Sequence, residues 1–135
     1  VAQGFIADRI ADMLRAEGLT NVLVNTGELR AIGTTVEGAP SPVTLTSGGH
    51  VDLADRALAS SSPLGTTFDQ SGKVGHILSP VTGQPAPARW SLVSVSADKA
   101  AVADALSTAA CLMADRATID TALASFADAR IEALV

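Results

Sequence analysis

From Ala100 to Ala114 the chain carries a single charged residue, Asp104, among Ala, Val, Leu, Ser, Thr, Cys and Met. Val102, Ala105, Leu106, Ala109, Leu112 and Met113 fall on one helical stripe, and the remaining arcs are small or apolar. A helix apolar almost all round is covered on more than one side, so this stretch demands a layered protein and sets Asp104 against something other than bulk water. Asp98 is placed to cap the helix by accepting first-turn N–H groups, giving a helix from about Asp98 to Asp115. Thr108 lies four residues after Asp104, so carboxylate and hydroxyl project from one face. Two hard oxygen ligands at that spacing suit Mg²⁺, which takes one or two protein ligands together with phosphates and water. The commoner arrangement for such a pair is a Thr108 hydroxyl bonded back to the preceding turn and an exposed Asp104, and spacing alone leaves both open.

Composition narrows the partners. Of 135 residues 25 are Ala, with three Phe, one Trp and no Tyr. The core is therefore aliphatic, and an aromatic platform for stacking nucleic-acid bases is nearly excluded. Nine Lys and Arg are scattered against a net charge of −5, which argues against a polyanion, so nucleic acid is not an expected partner. The one cysteine, Cys111, excludes an internal disulfide or a multi-cysteine zinc site and reads as a small buried hydrophobe. No apolar run is long enough to span a membrane, and no signal-peptide pattern is present. The length fits one domain over residues 1–135. The opening Val1-Ala2-Gln3-Gly4 lacks an initiator Met and is already in helical rhythm, so the expected start lies inside a longer protein.

Ile6, Ile10, Met13 and Leu14, with Phe5 beside them, give the first helix its expected buried stripe, while Asp8, Arg9, Asp12 and Arg15 take the polar arc; Gly18 ends it. Asn21–Asn25 and Leu29–Ile32 read as strands around a Thr26-Gly27 turn, and Val43–Thr46 as a short strand between turn signals. Val51–Ser62 is ambiguous, with its second half favouring a strand that stops at Pro63. Lys73–Leu78 reads as a strand after the Asp69–Gly72 turn, Pro80–Pro87 as a loop, and Trp90–Ala97 as a strand with Val93 and Val95 on one face and Ser94 and Ser96 on the other. A polar helix from about Ile119 to Phe126 closes the chain. This order predicts an α+β fold, a mainly antiparallel sheet with helices packed on one face.

His76 sits at the end of a strand beside a Pro/Gly turn, a place for a base working near neutral pH, although a structural histidine is the commoner occupant. His50, after Gly48-Gly49, is ordinary loop chemistry. Ser60-Ser61-Ser62 offers hydroxyls at a strand-to-loop junction where phosphate can be cradled, and Gly27 allows close approach of a ligand to the backbone; plain loop and hairpin requirements explain the same residues. The familiar nucleotide, zincin and hydrolase signatures are absent.

These segments fall in an order that resembles the C-terminal half of the FAD:protein FMN transferases, the ApbE-like flavin transferase family. Ala2–Asp8 is similar to A-K-G-Y-x-x-D, Asn21–Gly33 to the family's strand and glycine turn, and Ala57–Ser62 to A-x-A-T-S-G. Gly75–Gly83 looks like H-I-x-D-P-x-T-G, and Ala103–Ala109 like A-D-A-L-x-T-A. The likeness runs from residue 1 to about 115, and the last two motifs are specific. It implies a T-fold-like half of an enzyme that moves FMN from FAD onto a Thr or Ser hydroxyl of an acceptor protein, of the membrane redox-complex subunit type, releasing AMP with Mg²⁺ as cofactor. By the same resemblance Asp104 and Thr108 ligate Mg²⁺, His76 is the base, and Gly27, Glu28, Ser60, Ser61, Ser62 and Thr82 contact the flavin nucleotide. It also implies a periplasmic address, with a lipid anchor on a segment upstream of Val1. Ser79, Gln3 and Ser62 stand where the family pattern has Asp, Lys and Gly. A non-catalytic flavin-binding or interaction module and an FAD diphosphate hydrolase remain alternative readings.

Overall fold

The computed structural model describes residues 1–135. The chain runs α1 (Ala2–Ala16), β1 (Val22–Asn25), β2 (Leu29–Ile32), β3 (Ser41–Thr44), β4 (His50–Leu53), β5 (Ala57–Ser61), β6 (Val93–Ala97), α2 (Ala100–Ala110), α3 (Arg116–Leu123) and β7 (Arg130–Leu134). Five strands form an antiparallel sheet in the order β1-β2-β5-β6-β7, and β3 and β4 form a separate hairpin. The expected α+β architecture is present: Val93 and Val95 meet Leu106, Ala110, Ile119 and Leu123 of α2 and α3 on one face. On the opposite face Ala31 and Leu58 pack against Leu45 and Leu53 of the hairpin region.

The first helix turns a different face inward from the one its large residues suggest. Gly4, Ala7, Asp8 and Ala11 are buried, whereas Phe5, Ile6 and Met13 are exposed. The reason is the closeness of α1 to α2: a Cβ on Gly4 would lie 2.3 Å from the Ala100 carbonyl oxygen, so only the smallest side chains fit between the two helices. Asp8, expected on the polar arc, is buried in this seam. Its Oδ1 accepts the Ala100 N–H at 2.9 Å and its Oδ2 the Ala101 N–H at 3.0 Å. Arg30 of β2, itself buried, places Nε 3.4 Å from Asp8 Oδ1. The cap expected from Asp98 is thus supplied from another helix: Lys99 is the N-cap residue and makes no side-chain bond, while Asp98 faces Arg56. A carboxylate at this end also meets the positive pole of the helix dipole.

Other expectations need adjustment. Lys73–Leu78 forms no strand; the segment holds only the isolated bridges Thr67–Gly75 and Leu78–Pro85. The Asp69 carboxylate explains this, since it accepts the backbone N–H groups of Ser71, Lys73 and Val74, donors a strand would have spent on a neighbour. The third helix starts and ends about three residues before the expected Ile119–Phe126, because the Asp115 side chain caps it by accepting the Thr118 N–H. Strand β7 has no counterpart in the sequence reading. It pairs with β6 through a bulge between Ser94 and Val95, and Glu132 accepts the Ser96 hydroxyl there. Ser94 and Ser96 lie on the face opposite the valines, as the alternation predicts, but they are fully buried under the second layer.

Asp8→Ala leaves two helix N–H groups without acceptors and a buried guanidinium without its counter-ion. Its unfolding free energy in urea is expected to fall by about 3–5 kcal/mol; a loss below about 1 kcal/mol would remove Asp8 as the keystone of the α1–α2 seam.

Candidate functional site

At one end of the sheet the β1–β2 turn, the end of β5, the middle of α2 and the loop after β5 line an open cavity of about 660 Å³, within the range of small-molecule sites. Glu28, Ser60, Ser61, Ser62, His76, Asp104 and Thr108 all line it, together with Gln3, Gly65, Thr66 and Leu112. Of the expected site residues, Gly27 flanks the cavity rather than lining it. Its φ is +103°, and a Cβ there would lie 2.8 Å from Gln3 Nε2. Thr82 does not reach the cavity; its N–H donates to Ser79 Oγ within the Ser79–Gln84 turn.

Asp104 is 7% exposed. Its Oδ2 accepts the Gly4 N–H at 3.0 Å. The close α1–α2 seam thus delivers a backbone donor to the carboxylate. Thr108 does not bond back to the preceding turn; Ser107 does, donating to the Asp104 carbonyl at 3.1 Å. Ser61 Oγ lies 2.8 Å from Ser107 Oγ and 3.1 Å from Thr108 Oγ1. Each hydroxyl has one proton. With the Ser107 proton on the Asp104 carbonyl, Ser61 donates to Ser107 and Thr108 donates to Ser61. The lone pairs of Thr108 Oγ1 are therefore left facing the cavity beside the Asp104 carboxylate, a donor set of hard oxygens that fits a divalent cation such as Mg²⁺. Ser107, which orients this relay, was not singled out in the sequence, although its place three residues after Asp104 puts it on the same helical face.

Glu28 is turned inward from the hairpin and is 8% exposed. Its Oε2 is buried without a hydrogen-bond partner. Burial first, and then the negative charge of Asp104, push its carboxyl up from 4.5 to about 7, against a smaller pull downward from the Ser60 N–H. His76, by contrast, is exposed on the rim. The Thr66 carbonyl accepts its backbone N–H at 3.1 Å and lies 3.1 Å from Nδ1. That contact assigns the proton to Nδ1 and leaves the Nε2 lone pair available. Gly75 permits this packing, since a Cβ there would fall 2.1 Å from the Pro63 carbonyl oxygen.

The Glu28 shift has a pH consequence. The folded state holds this proton more tightly than the unfolded chain, so the contribution to stability is fully present below pH 4.5 and is lost as the pH rises through about 7. In EDTA, Glu28→Gln is expected to match the wild type near pH 4.5 and to exceed it by on the order of 3 kcal/mol near pH 8 in urea denaturation. Equal stability at both pH values would contradict a strained, buried carboxylate.

Comparison with known proteins gives this geometry a family. The ApbE family model matches residues 1–135, the whole chain. The FAD:protein FMN transferase of Vibrio cholerae is 29% identical over 125 residues, covering 85% of this chain and 37% of that protein. The protein of the same name from Haemophilus influenzae is 29% identical over 133 residues, covering 90% of this chain and 38% of its own length. The chain therefore spans less than two fifths of the length of these curated relatives. The crystal structure of the ApbE protein from Thermotoga maritima superimposes with a TM-score of 0.84 at 27% identity, over 97% of this chain and 45% of that one. With the family model matched from first residue to last and the helix-on-sheet fold shared with a solved member, the chain belongs to the ApbE family.

Proposed function

We propose that this chain forms part of an FAD:protein FMN transferase, an enzyme that uses FAD as flavin donor and attaches FMN through a phosphoester to a Thr or Ser hydroxyl of an acceptor protein. The observation that carries the reading is the convergence of Asp104, Thr108 and His76 on one cavity, with Thr108 lone pairs and the His76 Nε2 both left free by their hydrogen bonds. Two relatives named FAD:protein FMN transferase support it. The acceptor is a protein, of the membrane redox-complex subunit type.

In this reading Asp104 and Thr108 hold Mg²⁺, which when bound neutralises charge on the diphosphate oxygens. The Ser61–Ser107–Asp104 carbonyl relay fixes the Thr108 hydroxyl so that its oxygen, not its proton, faces the substrate. Ser62 supplies a hydroxyl beside the diphosphate, while Ser61 is held in the relay and the Ser60 hydroxyl lies 2.7 Å from Ser94 Oγ on the other face of the sheet. His76 Nε2 receives the proton of the acceptor hydroxyl as that oxygen bonds to the phosphorus on the flavin side. The bond from that phosphorus to the bridging oxygen breaks, and the bridging oxygen leaves with AMP. Thr66 keeps the imidazole oriented throughout by accepting from Nδ1.

Incubation with FAD, Mg²⁺ and an acceptor peptide is expected to yield a fluorescent covalent FMN adduct and AMP in equal amounts, followed by mass spectrometry. Free FMN with AMP and no adduct would replace transfer by diphosphate hydrolysis; tight FAD binding without either product would favour the non-catalytic module. Asp104→Asn, which keeps an acceptor for the Gly4 N–H, is expected to lower the transfer rate by about 100-fold or more with the fold unchanged by circular dichroism.

A further inference from the structure

Glu28 is expected from the resemblance to contact the flavin nucleotide, yet its surroundings call for a different partner. A glutamate in a hairpin turn ordinarily reaches water, and a buried carboxylate is ordinarily paired. This one is 8% exposed and keeps Oε2 unpartnered. No Lys or Arg side chain forms an ion pair with it or with Asp104. The negative charge of Asp104 repels it. Two carboxyl groups without a cationic side chain thus line one cavity, with Thr108 beside them. An N–H of a substrate would satisfy Oε2 but would leave the repulsion between the carboxylates in place. A divalent cation meets both needs.

We propose that Glu28 is the second carboxylate of the cation site, with Oε2 facing the ion's hydration shell and accepting a hydrogen bond from a coordinated water. Mg²⁺ dehydrates reluctantly and keeps several waters, so a carboxylate one layer out from Asp104 and Thr108 fixes the orientation of those waters and offsets the ion's charge. The assignment rests on the metal reading of Asp104 under the proposed function and extends it to a residue of the β1–β2 turn that lines the same cavity. It also accounts for the burial of Glu28, because an acid that faced solvent could not serve a cation held by the buried Asp104.

The test is cation binding by the full chain without flavin, using Mn²⁺ as probe, with free ion counted by electron paramagnetic resonance and the heat followed by calorimetry. Wild type is expected to bind one Mn²⁺, and Glu28→Gln to bind it about 10–100-fold more weakly. Circular dichroism checks that the variant is folded, and Asp104→Asn sets the floor for a lost ligand. Wild-type affinity in a folded Glu28→Gln chain overturns the Glu28 assignment alone. No Mn²⁺ binding by the wild type overturns the metal reading and this inference together.

Discussion

The Asp8 carboxylate is the interaction on which the rest of the structure depends. It reaches from α1 to the first two N–H groups of α2 and is balanced by the Arg30 guanidinium from β2. One side chain thereby joins a helix, a second helix and the sheet. A buried charge of this kind is tolerable only when paired and fully hydrogen-bonded, and the partners here are fixed on two other elements, α2 and β2. The geometry therefore permits one mutual placement of α1, α2 and β2. Gly4 completes it by letting the backbones approach to a distance that any Cβ would prevent.

That placement builds the site. Because α1 lies so close, the Gly4 N–H lands on Asp104 Oδ2, fixing the carboxylate halfway along an otherwise apolar helix. The small residues of α2 let β5 come near enough for Ser61 to bridge Ser107 and Thr108. The serine relay then decides which side of the Thr108 hydroxyl faces outward. In the same cavity the β1–β2 turn brings Glu28 inward, and the loop pinned by Gly75 and Thr66 sets His76 on the rim. The seam that closes the core and the cavity that carries the chemistry are two sides of one helix contact.

Local patterns show in the sequence where one element supplies the whole signal. The lone charge at Asp104, the alternation in β6, the glycine turn before Glu28 and the α+β order were legible for that reason. The first helix misled because hydrophobicity ranks Phe5, Ile6 and Met13 above Gly4, Ala7 and Ala11, while the fold selects for size at a close helix contact. The strand expected over Lys73–Leu78 failed because the Asp69 carboxylate took its backbone donors. Thr82 was assigned by motif position alone, and its turn points its backbone at Ser79 instead of the cavity. Strand β7 went unread because its only organising feature is the bulged pairing with β6.

By itself the sequence determined a small-residue helix holding one carboxylate, a hydroxyl one turn further on, and a histidine in a Pro/Gly-bounded loop, since each depends on residues within a few positions of one another. Only the tertiary structure decided that Asp8 caps a helix 92 residues away, that Thr108 donates to Ser61 and keeps its lone pairs free, and that Glu28 is buried without a partner. Periodicity reports which face of an element is apolar. It carries no information about which distant element will meet that face, and the protonation, pairing and direction of every polar group at the site are set by those meetings.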